Sequence, residues 1–177
     1  MAHAVVSHPV RWLALSLVLG VAPWSATAFD ANKFEDFKTT NVCKYCDLTD
    51  APMSGRDMRG ADFQNANLSG AVMSKSNMGE RPMEKRTLVT NFEDANLRRA
   101  EFRGANLHLA NFTNAYLRDA NLTGADLSEA VLTKANLKGA VLNGANLKGA
   151  KLDDAKLDEA KFCKTTMPDG AVNDSGC

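Results

Sequence analysis

The sequence predicts an all-β solenoid, in which short units of chain coil and stack, and three observations carry this prediction. The chain has 177 residues, of which 45% are hydrophobic but only 7% aromatic. From Ala95 to Ala160 every fifth residue is alanine, fourteen times without a miss. Two places after each of these alanines stands leucine or phenylalanine. A repeat this short, with one small and one large apolar residue, indicates a chain wound around a narrow core.

A period of five fits neither regular element of secondary structure. Apolar residues at this spacing would move around a helix by about 140° per step and would switch faces of a strand at every step. Each unit must therefore turn a corner, with the two apolar residues inward and three residues outward. Coils would stack at the strand spacing of about 4.8 Å, so that backbone groups pair with neighbouring coils. The same spacing extends forward through Met167 and Val172, and an earlier block keeps it at Leu48, Met53, Met58, Phe63, Leu68, Met73 and Met78.

The amino-acid sequences of the units resemble those of a known repeat family. The stretches 120–124, 125–129 and 135–139 read Ala-Asn-Leu-Thr-Gly, Ala-Asp-Leu-Ser-Glu and Ala-Asn-Leu-Lys-Gly. They are similar to the consensus A(D/N)LXX of the pentapeptide repeat family, and the resemblance covers the chain from Cys46 to Val172. It implies a right-handed quadrilateral β-helix with about 20 residues per coil and about six coils. Gly104, Gly124 and Gly144 recur at that spacing, although Gly139 and Gly149 break the pattern.

A charged segment interrupts the repeat. Phe92 follows Met78 at a spacing one position short of three units, and the segment between them contains Pro82. We expect residues 79–90 to leave one corner as a loop, either as a tolerated insertion or as a functional excursion on a rigid scaffold. The repeat blocks then cover residues 46–78 and 91–172.

Residues 1–28 have the pattern of a signal peptide. They contain one base, Arg11, and no acid, followed by an apolar run and the small-residue site Ala26-Thr27-Ala28. We therefore expect residues 1–28 to be removed, the mature chain to begin at Phe29, and the protein to be exported to a periplasm, the extracellular space or, in a phototroph, the thylakoid lumen. The apolar run is about half of the roughly 20 residues that span a bilayer, so a retained anchor is the weaker alternative and no membrane partner is expected after cleavage.

Both ends of a solenoid need covering, because open coils expose unpaired backbone and an apolar cross-section. Residues 29–45 are predicted to form the N-terminal cap, with Phe34 and Phe37 on one side of a short amphipathic helix. Residues 173–177 are predicted to form the C-terminal cap.

The four cysteines lie at the two ends of the predicted rod: Cys43, Cys46, Cys163 and Cys177. An even count in an exported chain favours disulfides. The ends would be roughly 25 Å apart by the strand spacing, so cross-end bridges are excluded and the pairs are Cys43 with Cys46 and Cys163 with Cys177. The alternative use of Cys43 and Cys46 as a redox dithiol lacks the surrounding βαβ pattern.

Catalytic, cofactor-binding and metal-binding motifs are missing from the sequence. The one histidine after residue 28, His108, follows an inward leucine and is expected to lie in solvent. We therefore predict no enzyme activity, no cofactor and no metal. The 21 basic and 21 acidic residues cancel, so nucleic acid is not expected as a partner.

With about 20 residues per coil, Arg98, Arg118 and Lys138 should stack into a column about 4.8 Å apart, which we call the basic column. It is the best candidate for a partner surface. Because Asp119 and Asp158 adjoin it, a screened and solvated face is the competing interpretation.

Three functions fit these features. The first is an exported scaffold that binds an unknown protein, in an oligomeric state that the sequence does not fix. The second is a DNA-mimicking topoisomerase-binding protein, as in some quinolone-resistance members of the family, which the neutral charge and the export signal disfavour. The third is a thiol-disulfide redox protein using Cys43 and Cys46.

Overall fold

The computed structural model describes residues 30–84 and 86–177. It contains one helix, α1 (Ala31–Thr40), and four short strands: β1 (Arg81–Met83), β2 (Arg86–Leu88), β3 (Thr165–Thr166) and β4 (Val172–Asn173). Most of the remaining chain consists of turns joined by isolated parallel bridges. The predicted signal peptide, residues 1–28, and the predicted mature start at Phe29 lie outside the described residues.

The bridges define the coil. Successive partners are four repeat units apart, as in Asn91 with Asn111, and the chain therefore returns to the same face after every fourth unit. Where the repeat is interrupted, Asp62 pairs with Asn91. The longer stretch of chain between these two partners contains the inserted residues. The bridges form four rows, which we call faces 1 to 4. In the coil that contains Phe112 they run through Asn111, Tyr116, Asn121 and Asp126 in that order.

Apolar side chains fill the interior. From Ala95 to Leu147 the alanine and the leucine or phenylalanine of each unit are buried. On face 1 the rings of Phe63, Phe92 and Phe112 stack in line, with centroids 5.2 and 4.8 Å apart. Alternating small and large side chains leave little void in so narrow a core, and each turn of chain packs on the next.

The amino-acid pattern of each repeat unit follows from the turn that the unit makes. The Asn or Asp before the inward leucine accepts a hydrogen bond from the backbone two residues later, for example Thr123 N to Asn121 Oδ1 at 3.2 Å. Such Asx turns are the local conformations these short side chains favour. The corner residue then has a positive φ, for example 65° at Gly124, and Ala125 N donates to Leu122 O at 3.0 Å to close the turn.

Helix α1 begins and ends with capping residues. Asp30 accepts hydrogen bonds from the backbone of Asn32 and Lys33, and the helix ends where Asn41 adopts a φ of 59°. Its buried ring Phe37 lies 4.8 Å from Phe63 of face 1, so the helix rests on the end of the apolar interior.

The inserted residues form an antiparallel hairpin of β1 and β2, in which Arg81 pairs with Leu88. The hairpin packs back over the first coil. A Cβ built on Gly60 would lie 2.8 Å from Leu88 Cβ, and Gly60 also has a φ of 67°. At the hairpin base the buried Thr90 hydroxyl accepts from Gly60 N and donates to Met58 O, both at 3.1 Å.

The C-terminal segment departs from the repeat earlier than expected. The last parallel bridge joins Asn146 to Thr166, after which β4 folds back antiparallel on β3. Val172 is 62% exposed, so its predicted inward position in the block 91–172 is wrong. The reason is the Met167–Gly170 turn, closed by Gly170 N donating to Met167 O at 2.9 Å, which reverses the chain. Within residues 30–84 and 86–177, no helix combines the length and apolar character needed to cross a membrane.

Candidate interaction surfaces

The basic column lies on face 2, where its three members occupy the same position in successive coils. Two of them have acidic partners. Arg118 Nε lies 3.4 Å from Asp119 Oδ2, and Lys138 Nζ lies 3.1 Å from Glu159 Oε1. No ion pair is formed by Arg98 with the part of the chain that the structure describes. The column is therefore partly neutralised, with its free charge at the Arg98 end.

An exposed aromatic side chain stands beside that end. Tyr116 is 54% exposed and lines a cavity of about 250 Å³ with Asn96 and Arg98. Since tyrosine and arginine are the residue types enriched at the energetic centres of protein interfaces, this corner of face 2 has the composition of a contact site.

The cysteines lie as two pairs. Cys43 and Cys46 are buried with Cα atoms 5.4 Å apart, and Cys163 and Cys177 have Cα atoms 4.8 Å apart. Both separations suit a disulfide. The five-residue spacing places Cys43 where Phe63 stands one coil later and Cys46 at an alanine position. Counting back from Leu48 and Ala51 in steps of five could have assigned both residues to the interior.

The C-terminal cysteines also belong to the one cluster of possible metal ligands among the described histidine, cysteine and acidic side chains. Asp174 lies with Cys163 and Cys177 so that their possible ligand atoms are within 4.8 Å of one another. Because the two sulfur atoms are joined to each other, the group offers a single carboxylate and is not a ligand set.

His108 is not fully solvated, which corrects the expectation for it. Its Nδ1 lies 2.9 Å from both the carbonyl oxygen and the hydroxyl of Ser128 in the next coil, and the residue is half-buried. The ring fastens one coil to the next on face 4.

Two carboxyl groups near the N-terminal end have perturbed acidity. Hydrogen bonds from Thr49 hold the pKa of Asp47 below its usual range. The Arg59 guanidinium, which donates to Asp57 at 2.9 and 2.7 Å, lowers the pKa of Asp57, and Asp57 in turn raises the pKa of Arg59.

Asp57 and Arg59 belong to a cleft that the sequence did not predict. It lies between the end of α1, the first coil and β1, and has a volume of about 230 Å³. We call it the hairpin cleft. No spacing in the sequence signals it, because its walls come from three segments that only the fold brings together. Its lining consists of Lys38, Thr39, Asn41, Asp57, Arg59 and Arg81.

Comparison with known proteins assigns the repeat. The sequence model described as pentapeptide repeats matches the chain in eight copies, over residues 44–80, 90–128, 105–149 and 125–167. Comparison with curated proteins gives no match.

Several solved structures are similar to this chain. One is HetL, a pentapeptide repeat protein involved in heterocyst differentiation regulation from the cyanobacterium Nostoc sp. strain PCC 7120, with 31% identity and a TM-score of 0.34. The match covers 75% of this chain and 66% of HetL, so the chain spans just under two thirds of that relative.

Two further structures are pentapeptide repeat proteins from photosynthetic organisms. Rfr23 of the cyanobacterium Cyanothece 51142 has 25% identity over 77% of this chain and 95% of its own, with a TM-score of 0.37. A thylakoid lumen protein of Arabidopsis thaliana has 29% identity over 62% of this chain and 67% of its own, also with a TM-score of 0.37.

Proposed function

Because the chain belongs to the pentapeptide repeat family, whose members fold as β-helices, we propose that it is an exported, non-catalytic scaffold that binds a protein partner. One observation carries the proposal. The interior positions from Ala95 to Leu147 are filled by buried apolar side chains, which leaves the outer faces to make contacts. A stack of coils presents such faces as rigid, flat surfaces.

The rod that we propose has about six coils, covered at the N-terminal end and partly covered at the C-terminal end. α1 acts as the N-terminal cap through Phe34 and Phe37. The β3–β4 hairpin, tied by the Cys163–Cys177 bridge, covers part of the C-terminal end. Two disulfides suit an oxidising compartment such as a periplasm, the extracellular space or a thylakoid lumen, and this supports export.

The two alternative functions have less support. A DNA-mimicking surface needs a strong negative charge, whereas this chain has equal numbers of acidic and basic residues. A redox dithiol must meet its substrate, whereas Cys43 and Cys46 are 4% and 6% exposed.

The partner surface that we propose is face 2, at the basic column and Tyr116. Affinity capture from the exported fraction of the host tests it. A variant with glutamate at all three column positions should capture about tenfold less partner than wild type. The reversed charges would repel the acidic partner surface that we propose for the column.

The control places three glutamates at the same position of the same three coils on face 3, at Arg103, Thr123 and Asn143. It matches the number and placement of the new glutamates, although it replaces one cation where the column variant replaces three. It should capture as much partner as wild type. Equal losses in the two variants, with both folded by circular dichroism, would assign the partner to no particular face and would contradict the proposed surface.

A further inference from the structure

The hairpin cleft contains more positive than negative charge. Lys38, Arg59 and Arg81 line it, and Asp57 supplies the only carboxylate of its lining. The bidentate contact with Arg59 already satisfies Asp57. Arg81 forms no ion pair within residues 30–84 and 86–177. An incoming carboxylate would therefore meet an unpaired cation at Arg81. The neighbouring Lys38 is already ion-paired with Glu35, which lies outside the cleft lining, so a ligand would share the charge of Lys38 with that residue.

Aromatic contacts hold the cations of the adjoining wall in place. The ring of Phe34 lies 5.1 Å from Lys38 Nζ and 5.1 Å from the guanidinium carbon of Arg56. Arg56 lines an adjoining cavity that also contains Lys38 and Asp57. Fixing long side chains in advance lowers the entropy that a ligand would otherwise have to remove on binding.

The hairpin is held against the first coil, which fixes the backbone at Arg81. Its Cβ lies 3.3 Å from the Cβ position at Gly60, and Leu88 packs on the same glycine. The buried Thr90 hydroxyl fastens the base of the hairpin to Met58 and Gly60. The cleft is thus preformed, because the hairpin that supplies Arg81 packs against the first coil.

An apolar shelf adjoins the cleft. Arg81 also lines a second cavity, of about 640 Å³, together with Pro82, Met83, Glu84 and Arg86. Met83 is 52% exposed there. Methionine adapts its shape to varied apolar partners, which makes it a frequent residue of binding surfaces. A ligand that reaches from one cavity to the other would pass over Arg81.

We propose that the hairpin cleft binds an acidic segment of a partner protein, with a carboxylate between Lys38 and Arg81 and an apolar side chain against Pro82 and Met83. A peptide suits the site better than a free phosphate because the shelf beside Arg81 offers Pro82 and Met83 to an apolar side chain, which a phosphate lacks. The proposal rests on the proposed function in treating the chain as a protein-binding module, but it uses a surface separate from the basic column.

Fluorescence anisotropy with labelled Glu-Glu-Leu-Glu-Glu tests the cleft directly. Wild-type protein should bind the peptide saturably and more weakly as salt rises. Arg81→Gln should weaken binding about fivefold, whereas Arg103→Gln, an exposed arginine on face 3, should leave binding unchanged. Replacing leucine by serine in the peptide should also weaken binding, because the shelf then loses its apolar contact.

A second pair of variants tests the position of the hairpin without removing any charge. Gly60→Ala should weaken peptide binding, because the new methyl group displaces Leu88 and the hairpin with it. Gly124→Ala has a similar positive φ, 65°, but no neighbour within 4 Å, so it should bind like wild type. Equal effects of Arg81→Gln and Arg103→Gln, no saturable binding at low salt, or stronger competition by a phosphate polymer than by the peptide would each overturn the proposal. Such a failure would leave the capture experiment on face 2 unaffected.

Discussion

Truncation of Phe92 to alanine is expected to lower the free energy of unfolding by about 3–5 kcal/mol. Phe92 is fully buried on face 1 and stacks between Phe63 and Phe112. Its ring also meets Phe102 of the same coil edge to face at 5.8 Å. Removing the ring opens a cavity that rigid coils above and below cannot close, so the cost should fall near the upper part of the range for large-to-small substitutions.

Chemical denaturation followed by far-ultraviolet circular dichroism measures this effect, since both tryptophans lie within residues 1–28. Leu157→Ala is the matched control, because Leu157 is half-buried in the last coil and should cost about 1–2 kcal/mol. A Phe92→Ala variant no less stable than Leu157→Ala would show that the aromatic stack contributes little.

Loss of the C-terminal bridge should have the next largest effect. Replacing both Cys163 and Cys177 by serine should lower the free energy of unfolding by about 3 kcal/mol, the value expected for a closed loop of roughly 15 residues. Amide exchange should rise most in the last coil, where Gly144 N donates to Cys163 O at 2.7 Å and Gly176 N donates to Phe162 O at 2.6 Å.

The N-terminal pair provides the comparison for that experiment. The double serine variant of Cys43 and Cys46 opens a loop of only about four residues and should cost about 2 kcal/mol, with exchange rising in the first coil instead. Wild-type protein that reacts with an alkylating reagent at all four cysteines before unfolding would contradict both disulfides and return the redox function to consideration.

The sequence was sufficient to predict the repeat and the residues that line the interior. The period of five sets the inward positions because a buried alanine and a buried leucine recur at every corner, as at Ala125 and Leu127. The predicted membership of the pentapeptide repeat family is confirmed. The reversal of the chain after Met167 was missed, because Val172 keeps the five-residue spacing while its segment pairs antiparallel with β3.

The surfaces were less predictable than the interior. The stacking of Arg98, Arg118 and Lys138 follows from the coil length, but the pairing of Lys138 with Glu159 depends on how a long side chain crosses to the next coil. The hairpin carries no alternating apolar pattern that would indicate strands. Its packing on Gly60, and hence the cleft, arises only from tertiary contact.

Photo-crosslinking around one coil tests whether the rod binds its partner through face 2. A photoreactive residue is placed at the same position of four successive units, so that each variant probes one face. The positions are Arg118, Thr123, Ser128 and Thr133, on faces 2, 3, 4 and 1. We expect a single host protein to be crosslinked predominantly from position 118 on face 2. Equal labelling from all four faces, or predominant labelling from face 1, 3 or 4, would contradict this expectation.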